Sequence, residues 1–218
     1  MNKQWIVGAS VVAVVVAFVA GAVVFKGRET QEAGQAAQSN SDALVRASSP
    51  VFGNPAAKVT IVEFFDPACE TCRAFYPLVK TIVNSSFGQV RLVVRHAPLH
   101  QGSDTAVKIL EAARLQGQYW PAVERALAGQ PQWAAHGNAR PELIWDLIAD
   151  LGMDMAKARS DADSPAVAQL LAQDIADMKA LKVDRTPGFF VNGTPLRDFG
   201  EAQLRALVDQ EIKKVKAP

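Results

Sequence analysis

The chain has 218 residues, of which 49% are hydrophobic, and its formal net charge is +1. This length and apolar content are sufficient for one sizeable core, which excludes disorder throughout the chain. The basic residues form no run interleaved with aromatic residues, so the sequence has no nucleic-acid-binding footprint. The two cysteines lie three positions apart, which excludes a small scaffold held together by several disulfides.

The N-terminal region contains an uncharged apolar run at residues 5–25, between Lys3 and Lys26. At about 1.5 Å per residue, a helix of this length spans roughly 31 Å, enough to cross the hydrocarbon core of a bilayer. We therefore expect residues 1–27 to be a single-pass transmembrane anchor in the inner membrane, with the rest of the chain outside the cytoplasm. A signal segment cleaved at the small residues 20–22, which would leave a soluble periplasmic protein, is the alternative.

Residues 28–50 are rich in Gln, Ala, Ser and Asn and contain few large apolar side chains. Such a segment can bury little surface, so the composition predicts a flexible tether.

An α/β pattern begins at residue 51. Residues 58–65 (KVTIVEFF) have the composition of a buried strand, residues 70–83 have helical spacing, and residues 90–94 (VRLVV) form a second strand pattern. A strand, a helix and another strand in this order predict a parallel crossover unit. We assign residues 51–102 to the first part of an α/β domain.

The strand patterns stop between residues 103 and 182 and resume after residue 183. Between them, helices are predicted at residues 104–117, 119–128, 141–151 and 165–181. The second part of the α/β domain, residues 183–218, has a strand at 188–191, a tight turn at Asn192-Gly193, a returning strand at 194–199 and a helix at 201–215. Residues 103–182 are therefore predicted to be a helical insertion.

The cysteine pair, Cys69-Glu70-Thr71-Cys72, is placed where the first strand gives way to a helix. Free amide groups and the macrodipole at a helix N-terminus favour a thiolate, so Cys69 is the expected nucleophile. Cys72 lies one turn further on and can resolve a mixed disulfide. Glu70 opposes the thiolate and Thr71 brings no positive charge, so this dipeptide is expected to tune the couple towards a weaker oxidant.

Two further candidates lie away from the pair in the sequence. Glu63 is within the apolar strand, where burial would raise its pKa and allow it to exchange a proton with Cys72; the alternative is that it points to solvent or pairs with Lys58. Thr186-Pro187 precedes the later strand. A cis bond there would offer the Thr186 backbone to an extended substrate, whereas base rates alone favour an ordinary trans proline.

A family resemblance joins these features. The stretches PVFGNPAAKVTIVEFFDPACETC, VVRHAPLH and VDRTPGFFVNG occur in the order found in the DsbA-like branch of the thioredoxin superfamily, and the chain resembles that branch over about residues 50–215. The resemblance implies an α/β thioredoxin fold with an inserted helical domain. It also implies the roles of five residues, with Cys69 attacking, Cys72 resolving, Glu63 as the buried acid, and Thr186-Pro187 as the cis-proline loop.

The sequence departs from the family pattern at one point. Strongly oxidising members usually carry a histidine next to the second cysteine, where this chain has Thr71. The expected function is therefore thiol:disulfide exchange with exported proteins by a moderate oxidant, which needs no bound cofactor. A reductase, an isomerase and a non-enzymatic extracytoplasmic interaction domain are the alternatives. The implied partners are exported protein thiols or disulfides and a membrane redox protein, either a quinone-linked oxidase or a thiol-reducing transporter.

Two other roles for the cysteines have less support in the sequence. Together with His96 and His100 the pair could bind zinc, but the sequence has neither a second C-x-x-C nor a compact histidine pair nearby. A structural brace would stabilise little, because the ring closed by so short a spacing is small. His96 and His100 are otherwise expected to be strand-end and loop residues, and His136 has no evident role.

Overall fold

The computed structural model describes residues 15–22, 31, 34–35, 37, 41–136 and 138–216. Of the predicted membrane segment 5–25, residues 15–22 are helical and the remainder lies outside the described residues. Within the described parts of the chain, no helix combines the length and the apolar character that crossing a membrane requires.

The described strands form one mixed sheet. They are β1 (Val51–Gly53), β2 (Val59–Phe65), β3 (Val90–His96), β4 (Gly188–Val191) and β5 (Thr194–Pro195). Their order across the sheet is β1-β3-β2-β4-β5. β2 and β3 are parallel, which confirms the predicted crossover unit, and all other neighbours are antiparallel.

The C-terminal hairpin is shorter than predicted. Asn192 and Gly193 have φ values of 46° and 82°, so both adopt the left-handed conformation that its tight turn requires. The returning strand ends at Pro195, whereas the sequence predicted residues 194–199. Pro195 has no N–H group to donate to the ladder, which is a reason for the early end.

The described helices flank the sheet, and six of them lie between β3 and β4 in the sequence. They are α1 (Ser41–Leu44), α2 (Glu70–Ser85), α3 (Ser103–Leu115), α4 (Tyr119–Ala128), α5 (Gln130–Trp133), α6 (Ile144–Leu147), α7 (Met155–Ala162), α8 (Pro165–Ala180) and α9 (Glu201–Lys216).

Two helical predictions need correction. The helix predicted at residues 141–151 is instead a 3-10 turn at Pro141–Leu143 followed by the single turn of α6. The sequence analysis missed α7, whose buried residues are the two small side chains Ala158 and Ala162, too weak an apolar pattern to indicate a helix.

Two buried clusters lie on opposite faces of the sheet. Side chains alternate along β2, so Ile61 and Phe65 pack on one face with α2, α9 and the helices between β3 and β4. Val62 and Phe64 pack on the other face with α1 and α8. By the same alternation, Glu63 faces the side on which α2 and the cysteine pair lie.

The end of the predicted tether differs from the expectation that it buries little. Ala43 and Leu44 are both 5% exposed and belong to the α1–α8 cluster. Nε and Nη2 of Arg46 lie 2.9 and 2.7 Å from the two carboxylate oxygens of Asp177 on α8. Residues 41–50 therefore pack on the domain. The apolar side chains of α1 are buried there, and Arg46 pairs with the buried Asp177.

Candidate active site

Cys69 is the N-cap of α2, and it follows β2 after a turn of three residues. Its Sγ accepts a hydrogen bond from the backbone N–H of Cys72 at 3.4 Å. Both cysteines are free thiols. Cys69 is 4% exposed and Cys72 is 0% exposed, so the predicted nucleophile is the more accessible sulfur but reaches the surface through a small opening.

The environment of Cys69 favours its thiolate. Hydrogen bonding from Cys72 lowers the pKa of Cys69 most; burial opposes it, and the adjacent Thr186 lowers it further. The backbone amides of Cys72 and Thr71, at the open end of α2, contribute in the same direction. The resulting pKa is about 5. Cys69 is thus a thiolate at neutral pH, the form that attacks a disulfide.

Cys72 and Glu63 lie behind this sulfur, and the pKa values of both are raised. Burial raises the pKa of Cys72 well above its ordinary value, and Cys69 and the charge of Glu63 add to the effect. Glu63 is 1% exposed, which excludes the alternative in which it points to solvent. Its Oε1 has no hydrogen-bond partner among the described residues. Burial, followed by the charge of Cys69, raises the pKa of Glu63 to about 8, so the carboxyl can bind or release a proton near neutral pH.

The Thr186–Pro187 bond is cis, as the family resemblance implied. Cys69 Sγ lies 3.3 Å from the carbonyl oxygen of Thr186, to which a thiol donates. Thr186 and Pro187 come directly before β4, which pairs with β2. The structure therefore brings the predicted substrate loop into contact with the predicted nucleophile.

The dipeptide between the cysteines has a smaller effect than expected. The Glu70 side chain is 67% exposed, and its Oε1 lies 3.7 Å from Nε2 of His136 on the surface. Solvent screens a charge in this position, so it does not cancel the influences that lower the pKa of Cys69. Thr71 contributes through its backbone amide.

Asp66 is a site residue that the sequence analysis missed. Its side chain is 0% exposed and accepts hydrogen bonds from the backbone N–H groups of Ala68 at 2.8 Å, Leu99 at 2.8 Å and His100 at 3.0 Å. It also accepts from the Ser103 hydroxyl. This carboxylate thus ties the turn before Cys69 to the loop after β3. Its position directly after β2 was the available signal.

Gln130 of α5 was also missed. Its buried Nε2 donates to the carbonyl oxygens of Pro67 at 2.8 Å and Cys69 at 3.1 Å. Helix α5 therefore holds the backbone of the turn that carries Cys69. No local pattern marks this glutamine, because its partners lie 61 and 63 positions away.

His96 does not face the cysteine pair as a zinc site would require. Its Nδ1 lies 2.9 Å from Oδ2 of Asp174, and its Nε2 lies 3.0 Å from the Tyr119 hydroxyl, so both ring nitrogens have partners elsewhere. Within the described ranges, no group of three or more His, Cys, Asp and Glu side chains is arranged to hold a metal ion.

Comparisons with known proteins agree with this geometry. A family model described as thioredoxin matches residues 46–210. A thioredoxin-like oxidoreductase from Silicibacter pomeroyi is 32% identical, with a TM-score of 0.69 over 82% of this chain and 99% of that one. The thiol-disulfide exchange protein alpha-DsbA2 of Wolbachia pipientis has the same fold, with 21% identity and a TM-score of 0.70 over 84% of this chain and 97% of that one.

A curated relative is much longer than this chain. The Na(+)/H(+) antiporter NhaA of Herminiimonas arsenicoxydans is 35% identical over 148 residues, which are 67% of this chain and 23% of the antiporter. The chain therefore spans about a quarter of that protein, and the antiporter's name describes the whole of the longer molecule.

Proposed function

Since the chain belongs to the thioredoxin family, with DsbA-like proteins as structural neighbours, we propose that it is a thiol:disulfide oxidoreductase acting through Cys69 and Cys72. One observation carries the proposal. A sulfur whose pKa is lowered to about 5 contacts the Thr186 carbonyl at 3.3 Å, and a second sulfur with a raised pKa is buried behind it. An attacking and a resolving thiol need this asymmetry.

In the oxidising direction, a substrate thiolate attacks Sγ of Cys69 in the Cys69–Cys72 disulfide. A mixed disulfide forms, the Cys69–Cys72 bond breaks, and the Cys72 thiolate takes a proton from Glu63. A second substrate thiolate then attacks the substrate sulfur of the mixed disulfide and releases the Cys69 thiolate. The substrate loses two electrons and the enzyme gains them. The buried carboxyl is suited to this transfer because its pKa is about 8.

The lowered pKa of Cys69 supports a proposal for the direction of exchange. A stable thiolate favours the reduced form of the enzyme, which makes its disulfide a better oxidant. We therefore propose oxidation of substrate thiols as the main direction, with reductase or isomerase activity of the same site as the alternative. The exposed Glu70 reduces this preference little because solvent screens its charge.

The proposed cellular setting follows from the N-terminal sequence. Residues 5–25 would anchor the chain in the inner membrane and place the active site in the periplasm or outside the cell. The substrates are then exported proteins. A membrane redox partner returns Cys69 and Cys72 to their starting redox state, and it is either a quinone-linked oxidase or a thiol-reducing transporter. In this arrangement residues 51–102 and 183–218 form the thioredoxin fold and residues 103–182 are a helical insertion. Finding a soluble mature protein that begins near Val23 would replace the anchor with a cleaved signal peptide.

The decisive experiment mixes single cysteine variants of the full chain with an unfolded substrate protein that contains a disulfide, which the Cys69 thiolate can attack. Cys69→Ser should abolish exchange, whereas Cys72→Ser should accumulate a mixed disulfide through Cys69. Sedimentation and circular dichroism of both variants control for folding. Unchanged biological function in Cys69→Ser would favour the non-enzymatic interaction domain instead.

A further inference from the structure

His100 shares a buried anion with the turn that carries Cys69. Its Nδ1 lies 2.7 Å from Oδ2 of Asp66, and its own backbone N–H donates to the same oxygen at 3.0 Å. The other oxygen of Asp66 accepts from the N–H of Ala68, directly before Cys69, at 2.8 Å. One carboxylate therefore fixes the imidazole relative to the start of α2.

The imidazole is placed among negative groups from two segments. Burial lowers the pKa of His100, but the hydrogen bond and charge of Asp66 outweigh it, and the charges of Cys69 and Glu70 raise the pKa further. These three groups, from the turn after β2 and from the beginning of α2, are the charges that raise its pKa most. Coupling between two sites is reciprocal, so a thiolate that favours the imidazolium is itself favoured by it.

Resting on the proposed function, we propose that His100, held by Asp66, is a positioning residue that supplies the cation beside the Cys69 thiolate which the Glu70-Thr71 dipeptide lacks. The positive charge comes from the loop after β3 and not from the segment between the cysteines. It favours the Cys69 thiolate and therefore the reduced enzyme.

A purely structural role explains the arrangement less well. Asp66 already accepts hydrogen bonds from the N–H groups of Leu99 and His100 and from the Ser103 hydroxyl, so the loop is held without the ring. The His100 side chain is 43% exposed, so its packing contributes little. The ring's distinctive property is a charge that is present or absent near neutral pH.

The redox state of the protein provides the first test. Oxidation removes the Cys69 thiolate, so the pKa of His100, measured by NMR titration of its ring protons, should fall by several tenths of a unit in the disulfide form. The chain has three histidines, and the His100→Asn and His136→Asn variants assign their signals. The same His100 pKa in both redox states would overturn the proposal.

The second test measures the cysteine. His100→Asn keeps a side-chain N–H that can donate to Asp66 but removes the charge. It should raise the pKa of Cys69, measured by alkylation rate against pH. It should also make the disulfide three- to tenfold less oxidising against glutathione, which corresponds to about 15–30 mV. His136→Asn, which removes the other imidazole near Glu70, should change neither value.

The outcomes separate this inference from the proposed function. A His100→Asn protein that folds and exchanges disulfides with a wild-type potential contradicts the role of His100 alone. Exchange that persists in Cys69→Ser contradicts the proposed function as well. If His100→Asn does not fold, the redox-dependent titration of wild-type His100 still decides the question.

Discussion

The sulfur of Cys69 and the carbonyl oxygen of Thr186 lie 3.3 Å apart, although 117 positions separate the two residues in the sequence. The contact joins the start of α2 to the segment before β4. An extended polypeptide that pairs with the Thr186 backbone would place its own sulfur next to Cys69, which is the approach that our proposed exchange requires.

The Thr186 hydroxyl gives the first prediction. Thr186→Val keeps the shape of the side chain but removes the hydroxyl, whose buried oxygen has no hydrogen-bond partner among the described residues and whose proton can turn towards the thiolate. We expect the pKa of Cys69 to rise by roughly 1 unit, because a hydrogen bond to a charged group contributes about 1.5–3 kcal/mol. The pH dependence of iodoacetamide alkylation measures this pKa.

Thr71→Val is the matched control, since Thr71 acts on Cys69 through its backbone amide, which the substitution leaves in place. In this variant the pKa of Cys69 should stay close to its value in the wild type. Equal shifts in the two variants would show that the Thr186 hydroxyl has no special role.

Glu63 and Cys69 should have opposite effects on stability as a function of pH. The folded-state pKa of Glu63, about 8, lies above its ordinary 4.5, so its contribution falls as the pH rises from about 4.5 to 8. The folded-state pKa of Cys69, about 5, lies below its ordinary 9.0. The stability that Cys69 contributes is therefore fully present above pH 9 and is lost progressively as the pH falls from about 9 to about 5. In the reduced protein the two contributions offset each other.

Single variants should reveal the two contributions. Between pH 5 and pH 8, the free energy of unfolding should rise for reduced Glu63→Gln and fall for Cys69→Ser, each by a few kcal/mol at most. Urea unfolding at both pH values measures the change. The double variant serves as the control, because it reports the pH dependence of the remaining groups, including His100, which is subtracted from that of each single variant. The same sign of change in both single variants would contradict the assigned pKa directions.

The buried charges at the end of β3 give a third prediction. Arg95 is 0% exposed, and its Nη2 lies 2.7 Å from Asp174 and 2.5 Å from Asp177. Arg95→Met leaves two buried carboxylates without this partner, so we expect a loss of about 3–5 kcal/mol in the free energy of unfolding. Chemical denaturation measures the loss. Arg125→Met, which breaks an exposed pair with Asp150, should cost at most about 1 kcal/mol.

The same network predicts the response of the protein to acid. Burial raises the pKa of Asp174 and Asp177, but hydrogen bonds from His96 to the first and from Arg46 to the second outweigh it, and both pKa values are lowered. The stability from these groups is present above their ordinary pKa of 3.8 and is lost as the pH falls below it. Arg95→Met should therefore show a smaller loss of stability between pH 5 and pH 3 than the wild type. An equal or larger loss would show that the ion pairs of Arg95 with Asp174 and Asp177 are not the source of the acid sensitivity.

The packed end of the N-terminal segment gives the fourth prediction. Leu44→Ala should lower the free energy of unfolding by about 2–4 kcal/mol, because Leu44 is 5% exposed and its removal leaves a cavity. Leu115→Ala, at a site that is 52% exposed, is the matched control and should cost less than about 0.5 kcal/mol. Equal effects measured by thermal unfolding would mean that α1 does not pack on the domain in solution.

Local sequence patterns were sufficient to predict the elements near the site. The apolar run of β2, the N-cap position of Cys69 and the turn at Asn192-Gly193 depend on neighbouring residues, so their patterns could be interpreted directly. The order of these elements indicated the parallel pairing of β2 and β3. The chemistry of a cysteine pair at a helix start also follows from local structure.

The surroundings of the cysteines depend on how distant segments pack together. Glu70 is adjacent to Cys69 in sequence but extends into solvent, whereas His100 and Gln130 are brought to the site by the loop after β3 and by α5. Burial and hydrogen bonding set the pKa values of the site, and both depend on residues far apart in the chain. The sequence could therefore identify the reacting sulfurs, Glu63 and the Thr186-Pro187 loop, but not the contacts of Asp66, His100 and Gln130 that hold and tune the site.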